Sequence, residues 1–187
     1  MTAFVFGYGS LVNRATHTYA TAHPARISGW RRAWRHVVGR DVAFLTAVPD
    51  AASEIDGLLA EVPGQDWAAL DAREHSYDRD LARDVAHHLG DDAHVHIYHA
   101  PPERHTPATM LHPVLLSYLD VVVQGYLREF GEAGVARFFA TTDGWDAPVL
   151  DDRKHPIYPR HQVLNSSERA LTDDHIAQLS IRLLPLP

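Results

Sequence analysis

The order of its hydrophobic periodicities constrains this chain most. Short apolar runs with strand character fill the first half: Phe4–Gly7, about Ile27–Val38, Val42–Val48, Ile55–Val62, Leu81–His87 and His94–Ala100. One short helical stretch, Asp66–Tyr77, interrupts them. Then the period changes. In "PVLLSYLDVVVQGYLREFG" (Pro113–Gly131), Leu116, Leu119, Val123, Tyr126 and Phe130 recur at helical spacing, and Gly131 supplies the stop. "EAGVARFFATT" reads as another helix, and the tail from Leu171 as a short helix and a last strand. Strands first and helices later imply an α+β fold rather than regular alternation around a parallel sheet. No repeat or linker divides the sequence, so a single domain over residues 1–187 is expected.

Composition excludes several classes. The formal net charge of −7 weighs against nucleic acid or an anionic membrane as the main partner. There is no cysteine, which removes disulfides, thiolate catalysis and Cys-ligated zinc. A basic leader with an apolar segment behind it is missing, and no apolar run approaches membrane-spanning length, so a cytoplasmic protein is expected.

"FVFGYGSLVNR" (Phe4–Arg14) is the first stretch with chemical content. Two glycines two apart at the end of an apolar run suit a strand whose backbone turns sharply and stays uncovered. A phosphate-binding P-loop would need Gly-Lys-Ser/Thr, which does not follow. The dinucleotide fingerprint lacks its third glycine, since Val12 stands there, and lacks the acidic residue about 20 positions on. Ser10 is flanked two away by Tyr8 and Val12, where a nucleophile elbow has glycines. What remains is either a tight turn or a loop offering backbone N–H groups from Tyr8 to Leu11.

The second stretch is "WAALDAREHSY". On a helix, Glu74 shares the face of Trp67 and Leu70, and Tyr77 continues it. A carboxylate turned toward the core needs a partner or loses its charge, and desolvation moves its pKa toward neutrality. Two readings stand: a structural ion pair with an arginine, or a general acid/base.

Together the stretches "FGYGSL" (Phe6–Leu11), "GLLAEV" (Gly57–Val62) and "LDAREHSYDRDLARDV" (Leu70–Val85) resemble the γ-glutamylcyclotransferase-like superfamily. That group includes γ-glutamylcyclotransferases, ChaC-type glutathione-degrading enzymes and AIG2-like proteins. "SYLDVVVQGYLREFG" is similar to the Tyr-containing helix of the ChaC-like branch. The resemblance implies a small mixed β-barrel flanked by helices. It also implies conversion of γ-glutamyl amides into 5-oxoproline and a free amine, without a cofactor. Gly7, Tyr8, Gly9, Ser10 and Leu11 would hold the γ-glutamyl group, and Glu74 would act as general base and acid. ChaC-type enzymes continue the first motif with a tryptophan-containing stretch where Val12-Asn13-Arg14 stand here, so glutathione specificity does not carry over.

In such a reaction the substrate's own α-amine is the nucleophile, so no Ser or Cys nucleophile is required. Loop amides would face the oxyanion, and ring closure would gain from being intramolecular. Tyr77, Tyr118 and Arg35 are further candidates for the substrate pocket, with core packing the alternative for both tyrosines. Arg31, Arg32, Arg35 and Arg40 beside two tryptophans read as one basic strand face rather than a nucleic-acid platform. His94 and His96 share a strand face, but no third ligand is identifiable, so no metal is expected. The irregular stretch Asp143–His161 reads either as a surface wrap or as a lid bringing Trp145 and Tyr158 over the ligand. The expected partner is a small γ-glutamyl molecule, with no nucleic acid and no membrane, and the sequence sets no oligomeric state. A non-catalytic binding module on the same fold is the rival function.

Overall fold

A computed structural model describes residues 2–90 and 93–186. Its first strand, β1 (Thr2–Gly7), is followed by two single 3-10 turns and a long hairpin of β2 (Ala22–His36) and β3 (Phe44–Glu61). Next come α1 (Trp67–Arg73), β4 (Asp78–Leu81), β5 (Val85–Ala86) and β6 (Ala93–His99). The second half holds β7 (Thr106–Pro107), β8 (Val114–Leu115), α2 (Leu116–Ala140), β9 (Thr142–Asp143), β10 (Val149–Asp151), α3 (Ser166–Gln178) and β11 (Leu183–Pro185).

Among the described residues the main sheet runs β4-β6-β1-β3-β2-β5, with β7 and β9 also pairing to β2. It is mixed: β1 lies antiparallel to β3 and parallel to β6, while β2 and β3 are antiparallel. The sheet curls into a half-barrel, the α+β architecture expected. Twist and curl increase at a bulge between Ser28 and Trp30, where Gly29 takes a φ of 81° that side-chain-bearing residues resist. Opposite the bulge, residues 49–54 continue β3 without a break, although "PDAASE" has turn composition. Two separate strands expected there run on as one, whose ladder with β2 holds on either side (Trp30↔Pro49 and Ser28↔Glu54) and lapses over residues 50–53, where Asp50 accepts from Ala52 N–H and the Ser53 hydroxyl as the turn composition suggests. Likewise the strand expected over Leu81–His87 is two short ones, β4 and β5.

The N-terminal half of α2 is buried almost all round, with Leu116, Leu119, Val122, Val123 and Tyr126 in the core. Gly131, at φ 66°, breaks this helix where the sequence stop was expected. Gly125 lets α2 approach the N-terminal loop: a Cβ there would stand 2.6 Å from the Asn13 amide nitrogen. Asn13 Nδ2 then donates to Val121 O and Gln124 Oε1, and Gln124 Nε2 donates to Glu168 Oε2. Glu168 in turn closes the capping box at the start of α3 with Asn165. Among the described residues no helix is long and apolar enough to cross a membrane.

Candidate functional site

β1 ends at Gly7, and the chain turns at once through the 3-10 turn Ser10–Val12, closed by Val12 N–H donating to Gly9 O at 3.0 Å. Three features fix this turn. A Cβ on Gly57 of β3 would stand 2.6 Å from Gly7 O, so only glycine there lets the strand end sit so close. The Tyr8 carbonyl is held from behind by Arg32 Nε at 3.2 Å and by the Tyr126 hydroxyl at 3.0 Å. Because a trans peptide sets N–H opposite C=O, the Gly9 N–H points away from Arg32. Gly9 itself lines a cavity of about 90 Å³.

Arg32 is fully buried. It also donates to Asp56 O and the Tyr126 hydroxyl at 2.6 Å each and to the Thr141 hydroxyl at 2.7 Å, and its guanidinium lies over the Tyr126 and Phe138 rings. Four acceptors and two ring faces take the place of a carboxylate partner.

The cavity is walled by the glycine loop (Gly7 to Leu11), by Leu45 and Leu70, and by Glu74 with the rings of Tyr77, Tyr98 and Tyr118. Helix α1, capped by Asp66 accepting from Ala69 N–H, stops four residues earlier than Tyr77. Glu74 is its C-terminal cap, half-buried, with its N–H bonded to Leu70 O at 2.9 Å and its carbonyl accepting from Tyr77 N–H at 2.8 Å. The expected full-length amphipathic helix is therefore too long. Glu74 reaches the cavity from the turn that ends α1, while Leu70 still faces inward.

Burial raises the pKa of the Tyr8, Tyr77, Tyr98 and Tyr118 phenols well above the ordinary range, and the nearby Glu74 charge adds to each rise. They stay neutral hydrogen-bond donors. Tyr8 donates to Tyr98 O at 2.7 Å, Tyr77 to Leu45 O at 3.0 Å, and Tyr98 to Asp71 Oδ1 at 2.5 Å. The Tyr118 hydroxyl fills the space of the side chain that Gly9 lacks, 2.7 Å from where a Cβ would lie. Here a neighbour, rather than open room for a ligand, demands the glycine.

A second chamber of about 280 Å³ shares Ser10, Leu45, Glu74, Tyr77 and Tyr118 with the first and extends outward to Arg40, His75, Tyr158 and Arg160. The two adjoin along these five residues, Glu74 being the one carboxylate among them. A carboxylate there, among neutral phenols and beside the backbone of the glycine turn, is equipped to move a proton at a polar carbonyl compound.

Gly7, Tyr8, Gly9, Ser10, Leu11, Glu74, Tyr77 and Tyr118 thus gather on one cavity, and Arg35 does not. It pairs across from Phe44 and Pro107, and its charge adds to the burial that lowers the His105 pKa. Tyr98, Arg32, Tyr126 and Gly57 were not singled out from sequence. Trp145 does not reach the cavity either: it packs against Trp34, Phe138 and Phe139 and donates to Phe139 O. Asp152, accepting from Ser117 N–H, the Ser117 hydroxyl and Ile157 N–H, pins the middle of that stretch to the start of α2. Only its end, with Tyr158 stacked edge-on to Tyr118, meets the cavity. Among the described residues no group of three His, Asp or Glu is placed to hold a metal ion.

No curated protein matches the sequence. Among solved structures, a gamma-glutamyl cyclotransferase is similar at 14% identity and a TM-score of 0.60, covering 93% of this chain and 99% of its own. The uncharacterized protein loc79017 from Homo sapiens is similar at 14% identity and a TM-score of 0.58, covering 92% and 98%. YkqA from Bacillus subtilis, at 17% identity and a TM-score of 0.57, covers 76% of this chain, which spans just over half (56%) of YkqA. At these identities the likeness is one of fold. The family described as "Gamma-glutamyl cyclotransferase, AIG2-like" matches the sequence itself over residues 5–137, which take in the glycine loop, Gly57, Glu74 and most of α2. The chain belongs to that family.

Proposed function

We propose that the protein is a γ-glutamylcyclotransferase, cyclising the γ-glutamyl group of an amide or peptide to 5-oxoproline with release of an amine. The substrate's α-amine attacks its γ-carbonyl carbon, a C–N bond forms, and the amide C–N bond breaks. Glu74 takes a proton from the α-ammonium before attack and gives one to the departing nitrogen. The Gly9 N–H, turned away from Arg32, is a donor for the oxyanion. Neutral phenols nearby offer their oxygens as acceptors without adding charge, the protons of Tyr8, Tyr77 and Tyr98 being held by Tyr98 O, Leu45 O and Asp71. Folding the chain into the inner chamber brings amine and carbonyl together, which supplies much of the rate.

The observation that carries this reading is that Glu74 lines both chambers, the first of them together with the glycine turn. The test is 5-oxoproline release from a panel of γ-glutamyl amides by wild type and Glu74→Gln. The variant is expected to stay folded and lose about 10²–10⁴-fold in kcat, the usual worth of a positioned acid/base. Turnover near wild type in a folded Glu74→Gln protein would remove Glu74 from the mechanism.

A further inference from the structure

Two arginines stand at the outer end of the cavity, beyond Glu74, outside the ion pairs that hold many others. Many arginines of this acidic chain are matched: Arg14 with Glu129, Arg26 and Arg137 with Asp56, Arg79 with Asp71, Arg153 with Asp120. Arg40 and Arg160 are not among these pairs, and both line the outer chamber. Arg40 Nη2 donates to Ser76 Oγ at 3.1 Å, and its guanidinium lies over the Phe44 ring. Ser76 and Phe44 are walls of the same chamber. Arg160 reaches it from the segment that carries Tyr158.

We propose that Arg40 and Arg160 read the leaving amine, and that each binds one carboxylate of an amino dicarboxylate such as the glutamate of γ-glutamylglutamate. The proposal rests on the cyclotransferase reading above. With the γ-glutamyl group in the inner chamber and the scissile carbonyl at Glu74, whatever the amine carries lies in the outer chamber. A net charge of −7 repels anions in general, so a local pair of guanidinium groups is what admits a doubly acidic amine. Guanidinium also matches carboxylate geometry with two parallel hydrogen bonds.

The test compares γ-glutamylglutamate with γ-glutamylglutamine, which has nearly the same shape and one carboxylate fewer. KM is read from 5-oxoproline release, and binding of both peptides to Glu74→Gln is read by calorimetry. Wild type is expected to favour γ-glutamylglutamate by about tenfold at low salt, less at high salt. Arg40→Gln and Arg160→Gln each shrink that ratio, and Arg160→Glu shifts preference toward γ-glutamyllysine. Equal KM and equal binding for the two peptides overturn the proposal and leave the cyclotransferase reading intact. Arginine variants that weaken both peptides alike overturn it too, since the arginines would then read a carboxylate common to both. A binding preference that persists without any turnover by wild type sinks the cyclotransferase reading and keeps the anion site. If neither peptide binds nor reacts, both fall.

Discussion

The Tyr8 carbonyl is the joint on which the glycine loop turns, and two variants separate the groups that hold it. Tyr126→Phe removes one hydroxyl from a fully buried point. That hydroxyl accepts from Arg32 Nη2 at 2.6 Å and lies 3.0 Å from Tyr8 O and 2.7 Å from Asp56 O. Both carbonyls keep a guanidinium donor, at 3.2 and 2.6 Å, so neither is stranded. The ring still fills its space, and the cost is about 1–2 kcal/mol. Arg32→Met is a different event. The Tyr126 hydroxyl then has one proton for two buried carbonyls, and the stacking over Tyr126 and Phe138 is lost, for a total of about 3–5 kcal/mol. Because the two side chains share partners, the double variant is expected to cost less than the sum. Urea unfolding gives the three stabilities, and 5-oxoproline release at temperatures where each variant is folded gives the effect on the loop. Arg32→Met is expected to lose activity in excess of its unfolded fraction. Equal destabilisation by the two single variants, or strict additivity, would refute the idea that this pair holds the carbonyl.

Gly9→Ala drives a methyl into the Tyr118 hydroxyl, whose ring is backed by Trp34 and Tyr158; a loss of about 1–3 kcal/mol is expected, partly restored by adding Tyr118→Phe, as thermal melts would show. Absence of rescue would place the clash elsewhere. Alkaline pH tests the ring of phenols. Burial raises Tyr8, Tyr77, Tyr98 and Tyr118 and pushes Tyr126 up to about 12, so the folded chain keeps protons that the unfolded chain releases near 10. Their contribution to stability is present in full below that ordinary value and is lost as pH rises through the folded ones. Tyrosinate absorbance is expected to show these five of the seven tyrosines titrating only with unfolding, and their free titration in folded protein would contradict it.

What was legible in the sequence is what is local. The glycine turn and the Glu74/Tyr77 stretch are each short motifs, and their meeting at one cavity does not depend on the helix length expected. Arg35 lies off the cavity, and its role differs from that of Arg32 for a reason that strand geometry supplies. Arg32 and Arg35 are three apart on β2, so they project from opposite faces: Arg32 and Trp34 are fully buried on one, while on the other Ala33 is covered and Arg35 is only partly so. Which of the two arginines would be fully buried depends on pairing with β3, a long-range fact. Tyr98 reaches the cavity because β6 runs parallel beside β1, and Gly57 meets Gly7 through the register Gly7↔Leu58; neither is encoded in spacing along the chain. Trp145 misled because irregular chain and an exposed-looking aromatic resemble a lid. Its ring instead completes an aromatic cluster at the end of α2.

The polar relay from Asn13 through Gln124 to Glu168 makes local opening at the loop a shared event. A segment opens at the free-energy cost of everything that must break with it. For the turn at Ser10–Val12 to swing out, Asn13 must leave Val121 O and Gln124, stranding a buried amide between α2 and α3. Loop and C-terminal helix therefore belong to one cooperative unit, though they lie at opposite ends of the sequence. Coupling of this kind is reciprocal: a ligand that orders the loop tightens the docking of α3, and whatever clamps α3 raises affinity at the loop. Since α3 lies beyond the stretch the family matches, a substitution at Glu168 or Asn165 would reach the loop without touching its motif.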